Sequence, residues 1–140
     1  MMMSLDRNTE LLNTIGRSMV ASAPDEWKEL TLVVSAVHSM MESGLEAKTS
    51  DGSVVDSETI DDAGEEAVEE LREIMYQPGK GTWYGARFTV DSAGNFEADF
   101  DYDNPPLDGD ATAEMLADDQ ERFPRSPDRL PDWHPAKAKV

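Results

Sequence analysis

Tyr84-Gly85-Ala86-Arg87-Phe88-Thr89-Val90 runs into Asp91-Ser92-Ala93-Gly94-Asn95 and then into Phe96-Glu97-Ala98-Asp99-Phe100-Asp101-Tyr102-Asp103. In an extended chain alternate side chains point to opposite sides, so Tyr84, Ala86, Phe88 and Val90 share one face of the first run, and Phe96, Ala98, Phe100 and Tyr102 share one face of the last. The Asp, Gly and Asn between them are residues that accept turn conformations. The pattern predicts a β-hairpin within residues 82–104. If the aromatic face is buried, Glu97, Asp99, Asp101 and Asp103 all point the other way, with neighbours about 6.6–7 Å apart at the rise of a strand. The return strand then carries a ladder of carboxylates.

Working outward, residues 58–76 change period. Ile60, Gly64, Ala67, Val68, Leu71, Ile74 and Met75 recur every three or four positions with Glu65, Glu66, Glu69, Glu70 and Glu73 between them, the pattern of an amphipathic helix with an acidic outer face. Thr59 is its expected N-cap, and Gln77-Pro78-Gly79 ends it. Upstream, Trp27 to Met40 is apolar on both faces, with Leu30, Leu32, Val34 and Ala36 on one and Val33 and Val37 on the other, as an inner strand requires. Gly44 is the expected break, followed by a more exposed strand through Leu45, Ala47 and Thr49 and a turn at Asp51-Gly52. Leu5, Leu12, Ile15 and Met19, with Leu11 and Val20 beside them, define a first helix over about residues 4–22. Ala111 to Glu121 is a short last helix. The expected fold is α+β, a single domain in the order α-β-β-α-β-β-α, with about four mainly antiparallel strands covered by helices on one face.

The chain has 140 residues, 30 Asp+Glu against 12 Lys+Arg and a net charge of −18. Such a surface repels phosphate backbones and anionic lipid heads, which argues against nucleic-acid or membrane partners. Charge is unevenly placed: residues 91–121 hold 11 acids and no base, whereas residues 122–140 hold five bases and two acids. The division read from this is a domain over 1–121 and an extended Arg/Pro-rich segment over 122–140, where prolines oppose helix. The absence of cysteine removes disulfides and Cys-based metal sites and fits a reducing compartment. Met1-Met2-Met3-Ser4-Leu5-Asp6-Arg7 lacks the basic start and apolar run of a secretory leader, and no stretch approaches the ~20 apolar residues of a membrane helix. The expected location is the cytoplasm.

Chemistry-bearing patterns are sparse. Asp99-Phe100-Asp101-Tyr102-Asp103 with Asp110 partly follows a calcium loop, but Asn104 stands where that loop needs glycine and Pro105 follows it. A packed, hydrogen-bonded His38 and a His134 in the Pro-rich segment form no recognisable catalytic set. Gly79-Lys80-Gly81-Thr82 resembles part of a phosphate loop, yet lacks the upstream glycine and leads into a strand, which favours a tight helix-to-strand connection. The reading is a binding protein without catalytic residues, cofactor or metal.

The order of motifs, with Pro24-Asp25-Glu26-Trp27 opening an apolar strand, an acidic helix, Thr82-Trp83-Tyr84 starting a hairpin and Phe96 to Asp103 closing it, resembles the YezG-type immunity proteins of bacterial polymorphic toxin systems over roughly residues 5–104. The acidic stretch 104–121 and the Arg/Pro-rich end depart from that pattern. The resemblance implies a cytoplasmic antitoxin that binds a cognate secreted toxin, commonly a nuclease. Independently, ordered carboxylates speed association with the basic surface a nuclease needs for phosphate, and aromatic neighbours supply anchors. The candidate partner-binding residues are Trp83, Tyr84, Glu97, Asp99, Asp101 and Asp103. An acidic adaptor or DNA-mimic-like regulator recruiting another basic protein is the alternative. Because −18 on one small domain is net repulsive, salt should stabilise the free protein: its melting temperature should rise between about 10 and 200 mM salt, where the screening length contracts to below ~10 Å.

Overall fold

The computed structural model describes residues 2–38, 40–57 and 60–137, with side chains from Arg7 onward and Ser57 excepted. The elements are α1 (Met2–Ala21), β1 (Trp27–Val37), β2 (Met40–Thr49), β3 (Val54–Ser57), α2 (Asp62–Ile74), β4 (Gly85–Asp91), β5 (Phe96–Asp101) and α3 (Ala113–Arg122), with short 3-10 turns at Pro106–Gly109 and Pro127–Arg129. The strands form one antiparallel sheet in the order β3-β2-β1-β4-β5. This is the expected α+β domain, with β3 as an additional edge strand. Four residues long, β3 has too few alternations to announce itself in the sequence.

The two-sided apolar run of β1 explains its central place. Leu30, Leu32, Val34 and Ala36 are buried with Leu45, Ala47, Ala86, Phe88 and Val90 beneath α1 and α2. Val37 points to the opposite face and is buried there with Leu107 and Leu116. The helix stripe of α1 is Leu11, Ile15 and Met19, while Leu12 lies at its margin and Val20 is exposed. The buried centre therefore lies one position away from Leu12. The two helices pack closely because position 64 is glycine: a Cβ there would meet Ser18 Oγ at 2.3 Å and Ile60 Cδ1 at 2.6 Å. The N-cap of α2 is Asp61, which accepts from Gly64 N–H at 3.0 Å and from the Ser18 hydroxyl. The expected cap, Thr59, lies outside the described residues.

The turn out of β1 departs from expectation. The chain reverses after His38, whose φ is +50°, and Gly44 lies inside β2 opposite Val33. Neither glycine nor proline marks the reversal. Asp119 of α3 accepts the His38 N–H at 2.6 Å and supplies from 81 residues away what a local turn residue supplies elsewhere.

Asp119 also forms a bidentate pair with Arg72 of α2, Nη1 to Oδ1 at 2.8 Å and Nη2 to Oδ2 at 3.2 Å, both side chains buried. Arg72 Nε donates to Trp83 O at 2.7 Å, and the Thr82 hydroxyl donates to Arg72 O at 2.7 Å. One ion pair thus joins α2, α3, the start of β4 and the β1–β2 turn. Beyond α3 the chain packs back on the body instead of standing off, burying Phe123, Arg125, Leu130 and His134. Residues 122–137 belong to the same packed unit as the rest.

Removing one member of this pair strands a buried charge, so Asp119→Ala or Arg72→Ala should lower unfolding free energy by ~3–5 kcal/mol. Arg72→Met combined with Asp119→Leu should lose much less than the sum, a difference that urea denaturation of all variants measures.

Candidate functional site

The sheet has one face under α1 and α2 and one largely open face. Register places the open face. Across it run Asp56, Glu46, Thr31, Thr89 and Glu97 in one row, Gly44, Val33, Arg87 and Asp99 in the next, and Glu42, Ser35, Gly85 and Asp101 in the third. The chain after β5 covers only the Val37 end, where Leu107 N–H donates to Ser35 Oγ at 2.6 Å.

Of the predicted ladder, Glu97 and Asp99 are exposed on this face at the β5 edge. Asp99 stands directly opposite Arg87, but no ion pair joins them. Asp101 is half-buried and committed to local structure. Its Oδ1 accepts from the N–H groups of Asp103 and Asn104 at 2.9 and 3.1 Å, and its Oδ2 accepts from the Asn104 side chain at 2.7 Å. Burial alone would raise the Asp101 carboxyl, but these hydrogen bonds outweigh it and hold the group below its ordinary value. Asp103 falls beyond the strand, in the turn that Asp101 caps. The ladder is therefore two exposed carboxylates, one ionised turn cap and one exposed turn residue.

The aromatic anchors are not at the surface. Trp83 is fully buried and Tyr84 2% exposed. Alternation slips ahead of Gly85, so Trp83 rather than Tyr84 joins Ala86, Phe88 and Val90 in the core. Trp83 packs on Phe100, their ring centroids 5.6 Å apart. Tyr84 meets Trp133 at 5.3 Å and the Arg125 guanidinium at 4.3 Å. Trp83 is enclosed in the core, and Tyr84, although buried, forms part of the wall of a concavity beside the ladder.

A concavity of about 410 Å³ opens beside the ladder, with Val33, Ser35, Gly85 and Arg87 on the sheet side and Asp99, Asp101, Asn104 and Asp108 around it. Three carboxylates face one guanidinium there. Sequence reading missed Asp108, which a 3-10 turn brings back over the sheet, and Arg87, although the hairpin register implied by the 91–95 turn places residue 87 opposite 99. The acidic face of α2 is partly neutralised, with Glu70 paired to Arg7 and Glu73 to Arg122.

Neither histidine adds chemistry to this face. His38 Nδ1 has no hydrogen-bond partner among the described residues, and His134 is buried with Nδ1 accepting from Ala136 N–H at 3.1 Å. Burial, with Arg125 nearby, pushes the His134 imidazole below its ordinary value, so the ring is neutral at pH 7. Among the described residues no three His, Asp or Glu side chains converge on a metal position, and no helix is long and apolar enough to cross a membrane. The chain matches no protein-family model and no curated protein.

Asp101 and Asp99 should separate by role. Asp101→Ala should cost about 1 kcal/mol through the lost turn bonds, whereas Asp99→Ala should leave stability within about 0.5 kcal/mol. The folded carboxyl of Asp101 is lowered, so its contribution is present above the ordinary carboxylate value and lost as pH falls through the folded one. Denaturation curves from about pH 5 down to about pH 2 should therefore fall less steeply for Asp101→Ala than for the unaltered protein.

Proposed function

We propose that this chain is a YezG-type immunity protein that neutralises a cognate toxin with a basic surface, most simply a nuclease, by binding it across the β5 end of the open sheet face. The observation that carries this reading is the pair of exposed carboxylates Glu97 and Asp99, without an ion pair among the described residues, on a sheet face that a helix covers only at its Val37 end, in a chain of net charge −18. The adjacent concavity, with Asp101 and Asp108 at its edge, gives a lysine or arginine of the partner a place to seat its head group. Val33, 42% exposed on the same face, offers contact to the methylene stem of such a side chain.

Inhibition then needs no chemistry from this chain. It follows from occupying the surface that the toxin uses for phosphate, with long-range attraction setting the association rate and the fitted contacts setting residence time. An acidic adaptor or DNA-mimic-like regulator would use the same face, and the identity of the captured protein separates the two.

The test is charge reversal at exposed positions. Glu97→Lys/Asp99→Lys should melt like the unaltered protein, associate with the toxin at least about tenfold more slowly at low salt, and show a flatter dependence of on-rate on salt. Cells carrying the toxin should lose protection with this variant. Full protection at native-like expression, with an unchanged on-rate, would overturn the assignment of this face. Capture of a basic protein that is not a toxin would instead assign the adaptor role.

A further inference from the structure

The 77–81 loop and the C-terminal segment enclose a concavity of about 260 Å³ lined by Gln77, Lys80, Tyr102, Asp103, Arg125 and Arg129. Its charge is opposite to that of the molecule. The chain has 12 Lys+Arg among 140 residues, and three of them line this one hollow beside a single carboxylate.

Arg125 is the unusual member. Two arginines are buried in the described structure. Arg72 has Asp119 as its counter-ion, whereas Arg125 has no carboxylate partner among the described residues. Its Nη1 donates to Tyr102 O at 2.9 Å, its Nη2 donates to Thr82 O at 2.8 Å, and its guanidinium lies over the Tyr84 ring. These are neutral or quadrupolar partners. They satisfy hydrogen bonds but leave a full positive charge in a poorly solvated place, which is costly unless an anion shares the site. The fold makes specific provision for this side chain. Gly81 has φ +76°, and a Cβ there would meet Arg125 Cγ at 2.5 Å and Nε at 2.6 Å. Residues 79 and 80 both bridge to 125.

We infer that this concavity is a binding site for a phosphate-type dianion, held by the side chains of Lys80 and Arg129 at its mouth with the buried charge of Arg125 behind them. Lys80 and Arg129 are exposed, and neither forms an ion pair among the described residues. The backbone does not act as a phosphate loop. Lys80 N–H and Gly81 N–H both donate to Gln77 O, at 3.0 and 2.9 Å, and the Thr82 hydroxyl is spent on Arg72 O. The Gly79-Lys80-Gly81 sequence serves here to bring one ammonium and one buried guanidinium to the same hollow. Attraction to Lys80, Arg125 and Arg129 and repulsion by Asp103 both scale with the ligand's charge, so with three cations against one carboxylate lining the hollow a dianion gains about twice what a singly charged carboxylate gains.

The site is separate from the open sheet face, and its test does not depend on any toxin. Amide chemical shifts of the full chain would be followed while inorganic phosphate is added at constant ionic strength, with chloride and acetate as matched controls. The expected result is saturable movement centred on Lys80, Gly81 and Arg129, at least about tenfold weaker in Lys80→Ala/Arg129→Ala, since charge-assisted contacts are lost. Both substitutions are at exposed positions and should leave the melting temperature unchanged. Shifts that do not saturate, that chloride or acetate reproduce, or that persist unaltered in the double variant would overturn the site.

Discussion

The bidentate contact between Arg72 and Asp119 is the constraint from which most of the arrangement follows. Arg72 is buried in the last turn of α2, and Asp119 is buried in the second half of α3. Neither can remain charged in a dry interior alone. Each therefore recruits further partners: Arg72 binds the carbonyl of Trp83, and Asp119 binds the N–H of His38. The position of β4, the reversal of β1 into β2 and the docking of α3 are coupled through four hydrogen bonds. A buried ion pair adds little net stability over an apolar substitute of the same shape. What it does here is restrict which packings are tolerated, because any arrangement that separates the pair exposes both partners to an unpaired state.

The acidic excess is compatible with this core because the charges are kept where water screens them. Glu70 and Glu73 of α2 are paired with Arg7 and Arg122, contacts between exposed side chains that contribute little individually. They nevertheless change the distribution of charge. The helix side of the molecule has local neutralisation, while Glu97 and Asp99 at the β5 edge form no ion pair among the described residues, Asp99 standing across from Arg87. An edge strand with exposed carboxylates resists pairing with another edge. The same two residues thus serve solubility in the free protein and attraction toward a cationic surface, and the second role needs a partner where the first does not.

How far this was legible in the sequence varied with the distance over which each element is determined. The hairpin from β4 to β5 is local: its alternation, its turn residues and its register are written within 17 residues, Gly85 to Asp101, and it forms as read. The inner position of β1 follows from apolar residues on both faces. The reversal after His38 was not legible, since the acceptor of its N–H lies 81 residues away on Asp119 and neither glycine nor proline stands at the turn. Tyr84 was misplaced for a related reason. Simple alternation puts it in the core with Ala86, but Arg125, which sequence reading had set in a separate segment, stacks on its ring and draws it to the other side. Asp101 looked like one rung of four, and only the Asn104 side chain folding back upon it reveals a cap.

The uneven use of cations explains why the sequence changes sign near residue 122. Of the five bases after that point, Arg122 answers Glu73 on α2 and Arg125 is buried against Tyr84 and the carbonyls of Thr82 and Tyr102. A basic segment on an acidic body is drawn inward by the field of the body itself, and Phe123, Leu130 and His134 then anchor it by burial. Attraction brings the segment in, while apolar contact and carbonyl hydrogen bonds decide where it rests. In resting there it covers the Tyr84 side of the sheet and leaves the β5 edge open. The surface that remains for a partner is thus set by the last residues of the chain as much as by the strands that carry its carboxylates.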